Sequence, residues 1–579
     1  MKSKKWLISL GLAAVLVVAF ALPACNGEPT EYWYTPEGEK ISFDISASGA
    51  YQDISLMVVQ DLQDFGFDVD LAVLDSTTYY EYLYYPPGGG MQAFISAEDP
   101  SPDPWSDWIW TMLADPLGFG IDWNPCWYNN TAFDELMQQN YFAQNLTAKE
   151  DILYDIQQVL AEDIPVIFLV REELISAART DNWENWFNEM GGYASWINEY
   201  SIREVTQAGD ATRLNLGITA LTETLNMDQD ALQYTNVGCL YLMLVYENLA
   251  GYPKLGEDDA YEWIPKLATN YTVTYEDDGT DGQNQVWTID LREGVKWHDY
   301  DTEGINFTAD DVEFTLQYAM SKWGNQHPVN WTAVEEDTGG EEILPEHVLV
   351  TKTGDYQVQF RYIEGYHQNE SYIPSRWLWY AMVPKHKFEG MTSGEILEDT
   401  GDYVGTGPYK VKEYEADNYL LLERFDDYWG AGDSYWELPE AQEVLFKLYE
   451  NTGSFWIAFE AGEMDSSASL SVPHVKKADY EADANIQVEV VPDLSEYYLG
   501  FNLHPTAGYE PLQDLALREA IAAAINKQDI IDITFGGYGQ IADSWVYPES
   551  PMHNDDLPNN EYDLTEAENI LTTAGYTKE

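Results

Sequence analysis

Apolar positions along this chain recur in two periods, one helical and one of strand type. Ile152, Leu153, Ile156, Val159 and Leu160 repeat at helical spacing behind Thr147-Ala-Lys-Glu150, a capping-box pattern that predicts a helix start. Pro165-Val-Ile-Phe-Leu-Val170 follows as a continuous apolar run of strand length, the pattern of a buried strand. Trp287-Thr-Ile-Asp-Leu-Arg292 alternates apolar and polar, as a half-exposed strand does. Thr308 precedes a helical pattern from Ala309 through Leu316 and is its predicted N-cap. Leu515 to Ile531 reads as one helix with an alanine-rich packing face. Thr565-Glu-Ala-Glu568 starts a last helix that Gly575 ends. Stretches rich in Gly, Asp and Thr near 276–284 and 335–341 read as loops, and 201–212 as a polar connector. Strands and helices alternate throughout, which predicts an α/β protein with mixed sheets.

The N-terminus breaks this pattern. Lys2, Lys4 and Lys5 precede an apolar run from Trp6 to Leu22, and Leu22-Pro23-Ala24-Cys25 places a small residue before a cysteine. The run is short for a spanning helix and ends like a lipoprotein cleavage site, so 1–24 reads as a signal peptide. Cys25 is then the lipidated residue and 25–30 an anchored linker. The position of Pro23 keeps an uncleaved anchor open as the alternative. Either reading puts the protein outside the cytoplasm, at the outer face of the cell membrane in the periplasm or on the cell surface.

Composition narrows the partners. With 45% hydrophobic and 14% aromatic residues the chain has the material for sizeable cores. It carries 101 acidic against 28 basic residues, a net charge of −73 that repels nucleic acid and anionic lipid. Self-repulsion on this scale suits a saline medium, where screening lengths fall to a few ångström. Apart from Cys25 there are two cysteines, Cys126 and Cys239, which either pair or remain as two buried thiols. The eight histidines are scattered and no cysteine spacing suits a metal, so no metal and no cofactor is expected. Nucleophile-elbow, His-Glu-x-x-His and phosphate-loop patterns are absent, so no catalytic residue is assigned.

Several segments carry a resemblance. Tyr246-Glu-Asn-Leu249, Pro265-Lys-Leu-Ala268, Trp287 to Trp297 and Phe307-Thr-Ala-Asp-Asp-Val312 come first. Gly405-Thr-Gly-Pro-Tyr409, Arg424 to Gly430 and Phe459-Glu-Ala-Gly-Glu-Met-Asp465 follow, and then Tyr498-Leu-Gly-Phe-Asn502 and Asp514 to Ile531. In this order they resemble the peptide/nickel-type solute-binding proteins of ABC transporters, family 5. The resemblance implies a two-lobed, periplasmic-binding-protein-like fold with an extra small domain, mixed sheets and a ligand cleft between the lobes. It implies capture of a dipeptide or oligopeptide, delivery to the permease subunits of an ABC importer, a monomer, and no enzyme activity. An oligosaccharide-binding member of the same fold is the alternative, and a glycan-active enzyme the remotest.

The order departs from the family at the ends. Trp33-Tyr-Thr-Pro-Glu-Gly-Glu39, the strand Ile41-Ser-Phe-Asp-Ile45 and Tyr128 to Leu136 look like the family's C-terminal third, placed first. A circular permutation accounts for this, with a fusion of gene fragments as the rival. It assigns 31–168 and 496–579 to lobe II, and 169–200 and 211–495 to lobe I with its inserted small domain. Residues 201–210 then connect the two. Mutual burial of the two chain ends is the expectation, because each supplies the element the other lacks.

The resemblance also places the ligand site, mainly in Ala97 to Trp110. An aspartate here would hold a peptide's ammonium by a charge-assisted hydrogen bond, and Asp99 and Asp103 are the two candidates, Asp99 slightly preferred. Trp105, Trp108 and Trp110 are candidate apolar walls, suited to peptide side chains and equally to sugar faces. Tyr497, Tyr498 and Asn502 lie where the family crosses between lobes. Each has a bland alternative: a shaped turn for the aspartates, core packing for the aromatics.

Overall fold

The computed structural model describes residues 31–579 except 85–90, 99–123, 142, 144–145, 189–198, 222–224, 226–235, 252–263, 278–281, 324–347, 363–380, 392–402, 469, 507, 549, 551 and 559–560. Its largest sheet has six strands: β1 (Ser42–Ser48), β2 (Asp68–Leu74), β3 (Ala93–Glu98), β4 (Val166–Arg179), β5 (Ile486–Phe501) and β6 (Gly539–Ile541). They lie in the order β6-β4-β5-β3-β1-β2. β1 runs parallel to β2 and β3, whereas the neighbouring pairs β3–β5, β5–β4 and β4–β6 are each antiparallel. The class is therefore α/β with mixed sheets, as the alternation of elements predicts.

Helices α1 (Gln52–Phe65), α2 (Leu146–Asp163), α3 (Leu515–Ala524), α4 (Lys527–Thr534) and α5 (Leu564–Thr573) accompany this sheet. One apolar core runs from Trp33, Phe43, Val58 and Leu62 through Ile167 and Leu169 to Phe501, Ile521, Leu571 and Tyr576. Each such fully buried aliphatic or aromatic side chain contributes about 1.5–3 kcal/mol. Residues from both ends of the described chain thus share one core. Trp33–Tyr34 also pairs antiparallel with Thr577–Lys578, and Tyr32 and Glu579 exchange backbone hydrogen bonds of 2.7 and 2.9 Å.

A second body holds a five-stranded sheet of Tyr409–Glu415, Tyr419–Arg424, Glu443–Leu448, Arg213–Ile218 and Ser466–Ser467. A four-stranded antiparallel sheet, Ala268–Asp277, Gln283–Leu291, Gln357–Tyr362 and Val348–Gly354, packs its own core around Trp287 and Trp297. The two long strands β4 and β5 bridge the bodies. Their far ends meet the five-stranded sheet, where Arg179 N–H donates to Asp465 O at 2.8 Å and Ser466 Oγ to Ala177 O at 2.9 Å.

Several boundaries differ from the sequence pattern. The predicted strand at 165–170 runs on to Arg179, because its outer half is paired by β5 and need not be apolar on both faces. Helix α2 begins at Leu146, so the capping-box residue Thr147 lies inside it. The helix predicted from 515 to 531 is two helices. The chain leaves helical geometry at Ile525, and the Asn526 side chain recaps by accepting from Asp529 N–H. Helix α5 is capped by Asp563, which accepts from Thr565 and Glu566 N–H, two residues ahead of the predicted start. Gly575 does end it, at φ +93°. Thr308 caps its helix, and Asp311 answers by accepting from Thr308 N–H at 2.8 Å.

The segment read as a polar connector begins inside a buried helical turn, Tyr200–Glu204. Polarity misled because the charges are paired. Glu199 accepts from Arg203 Nε at 2.6 Å and from Lys266 Nζ at 2.9 Å, and Trp436 lies against both cations.

Candidate functional site

β3 precedes the candidate site residues in the sequence. It is paired on both sides, by β1 and by the bridging strand β5, and it ends at Glu98. Asp99, Asp103, Trp105, Trp108 and Trp110 follow directly and lie outside the described residues. Cys25 does too. The last turn of the frame is described: Glu496 of β5 stands opposite Glu98, and Tyr498 Oη donates to Glu98 Oε1 at 3.3 Å.

Tyr497, Tyr498 and Asn502 sit on and just past β5, at the bridge. Tyr498 is buried and meets Phe94 and Trp545 edge-on, so its ring is packed while its hydroxyl reaches the strand end. Tyr497 turns to the other face, against Tyr51 and Phe535. Asn502 shapes the turn after β5: its Nδ2 donates to Met91 O at 2.9 Å and its Oδ1 accepts from His504 N–H at 3.0 Å. Cys126 is a free, buried thiol, which burial pushes up to about 12.

The structure adds residues that the motif reading did not single out. Arg171 of β4 is paired across the ladder with Glu496, and both are fully buried. Nη2 of Arg171 donates to Glu496 Oε2, and the guanidinium lies 4.0 Å from the Tyr547 ring centroid. Burial pushes the Glu496 carboxyl up to about 7 against the opposing pull of Arg171. Burial also pulls the Lys527 ammonium, at the start of α4, down to about 8, with the charges of Asp543 and Glu496 working the other way. His553 is held by Asp543 at 2.9 Å and Asp555 at 3.0 Å, and those bonds raise its pKa. One signal was available in advance: Arg171 breaks an apolar strand run in Phe168-Leu-Val-Arg-Glu172.

The second body carries its own buried network. Glu247 accepts from Trp429 Nε1 at 2.7 Å, Tyr428 Oη at 2.8 Å and Thr406 Oγ1 at 3.1 Å. Those bonds tie the Tyr246-Glu-Asn-Leu249, Gly405–Tyr409 and Arg424–Gly430 motifs together, so these motifs are joined by packing as well as by order. Among the described residues no group of three His, Cys, Asp or Glu side chains is placed to hold a metal, and no helix is long and apolar enough to cross a membrane.

Mixed sheets bridged by two long strands, with a carboxylate-bearing strand end at the bridge, define the fold of a solute-binding protein. The chain belongs to the bacterial extracellular solute-binding proteins, family 5, whose middle-region model matches residues 262–579. It is 27% identical over 328 residues to the dipeptide-binding protein of Escherichia coli, covering 55% of this chain and 56% of that one. To the oligopeptide-binding protein AppA of Bacillus subtilis it is 27% identical over 303 residues, covering 50% of this chain and 49% of AppA. The chain spans about half the length of the curated relatives it matches. The solved structure of AppA in complex with a nonapeptide is similar at a TM-score of 0.41 and 21% identity, covering 63% of this chain and 64% of that one.

Proposed function

We propose that this protein is a substrate-binding lipoprotein, anchored through Cys25, that captures a short peptide and hands it to an ABC importer without turning it over. One observation carries the reading. The strand end that precedes Asp99 in the sequence is fixed beside the bridging strand β5, with Tyr498 Oη on Glu98. A carboxylate there suits a ligand ammonium, and the relatives named as dipeptide- and oligopeptide-binding proteins point to the same ligand class. The tryptophans at 105, 108 and 110 favour a second reading, an oligosaccharide ligand stacked on their faces.

Calorimetry against a peptide pool and a glycan pool decides between them. Heat with peptides alone supports the proposal; heat with glycans alone overturns it. If Asp99 holds the ammonium, Asp99→Asn weakens peptide binding by about 1.5–3 kcal/mol, the scale of a hydrogen bond to a charged group. Loss in Asp103→Asn instead moves the anchor to Asp103.

The family's segments stand here in permuted order, so that 31–168 and 496–579 form one lobe while 169–200 and 211–495 form the other. The shared core from Trp33 to Tyr576 and the pairing of Trp33 with Lys578 support this reading. Deleting 496–579 then unfolds 31–200. Should 31–200 stay folded by circular dichroism after that deletion, a fusion of gene fragments replaces the permutation.

A further inference from the structure

The bridging strands break register twice, between Pro492 and Glu496 and again between Tyr497 and Tyr498 of β5. At the first break Pro492 of β5 stands opposite Glu173 of β4, and Glu496 opposite Arg171, so β5 carries two extra residues across this step. A break of this kind interrupts the ladder and is where a strand pair bends most easily. The Arg171–Glu496 pair sits at its edge, and it is incompletely satisfied. Glu496 Oε1 and Arg171 Nε are buried and have no hydrogen-bond partner. Such orphaned buried atoms carry a desolvation cost that a further hydrogen-bond partner would relieve.

The neighbours make the two partners unequal. Arg171 keeps the Tyr547 ring face and Ser544 O, at 3.5 Å, whatever the state of Glu496. Glu496 faces Arg171 on β4, Glu98 on β3, Lys527 on α4, and Asp543 and His553 beyond β6. Glu172, next along β4, lies near Asp493 in the break. A neutral Glu496 can accept from Arg171 through Oε2 and leaves only an uncharged hydroxyl unpaired, whereas an ionised one leaves a charged oxygen without a donor.

We propose that Glu496 is a proton-operated latch on the bridge: protonated, it stays dry and the strand pair is closed; ionised, it draws in water and the break loosens. The sign follows from burial. The buried carboxyl is held at about 7 and an opened, hydrated one returns toward 4.5, so rising pH favours opening across that window. The largest gain over the whole window is about 300-fold in the opening equilibrium, tenfold per pH unit of separation.

Hydrogen exchange of the full chain, followed by mass spectrometry and corrected for intrinsic rates, reads this directly without any ligand. Protection of 490–497 is expected to fall about tenfold between pH 6 and pH 8.5. Glu496→Gln, which mimics the protonated form, is expected to be protected and flat across that range. A flat wild-type profile overturns the latch, as does a Glu496→Gln protein that keeps the wild-type response. Loss of the response in Glu172→Gln or His553→Gln, with Glu496→Gln unchanged, also overturns it by moving the titrating group elsewhere.

Discussion

Replacing Arg518 by methionine tests how the late part of the chain holds the early part. Arg518, on α3, is buried and donates to three backbone carbonyls: Nη2 to Asp163 O at 2.6 Å, Nη1 to Leu512 O at 2.8 Å and Nε to Ile164 O at 2.9 Å. Two of these acceptors lie more than 350 residues away along the chain, at the end of α2. Ile164 there has φ +48°, a left-handed conformation that a β-branched residue resists. The guanidinium therefore bridges α3 to a strained turn, just before β4 enters the sheet. Methionine keeps much of the aliphatic stem but strands three carbonyls. A hydrogen bond to a charged donor is worth about 1.5–3 kcal/mol, and three from one group do not add fully, so a loss of about 3–5 kcal/mol is expected. Urea unfolding by circular dichroism gives the total. Hydrogen exchange shows where it falls: β1, β2 and α1 should lose protection together with α3, and Tyr409–Glu415 should not. A loss under about 1 kcal/mol, or one confined to α3, refutes the bridging role.

Three further outcomes follow from the same geometry. Burial lowers the Lys527 ammonium from 10.5 to about 8, so protonated Lys527 costs the folded state most below pH 8, and the cost disappears as pH rises to 10.5. Lys527→Met should accordingly raise stability by about 1–3 kcal/mol at pH 7, and paired urea titrations should show its advantage vanishing by pH 10.5. A Cβ on Gly405 would stand 1.8 Å from Val245 O, a backbone atom that cannot step aside, so Gly405→Ala should cost more than about 3 kcal/mol of stability, measured by urea unfolding. With a net charge of −73, the melting temperature should climb steadily from low to molar sodium chloride, and a midpoint indifferent to salt would count against self-repulsion as a limit on stability.

Local chemistry was legible wherever a pattern and its partner lie close in sequence. The α/β class, the buried run at 165–170, the Thr308 cap and the Gly575 stop are each decided within a turn or two of chain, where periodicity and capping act. The family motifs from Tyr246 to Ile531 were readable for the same reason, being short strings with fixed spacing. Tertiary structure alone decided what depends on a partner far away. Nothing local separates Arg203, buried against Glu199, Tyr428 and Trp436, from an exposed arginine in a polar connector. Nothing near Arg171 announces Glu496, 325 residues on, and a buried charge is costly unless a hydrogen-bonding partner is buried with it. The helix from Leu515 looked continuous because its apolar period runs through Ile525 and Asn526, yet the fold breaks it there. Asn526 N–H binds Asp61 of α1 at 2.8 Å, a contact that exists only once both ends of the chain share one core.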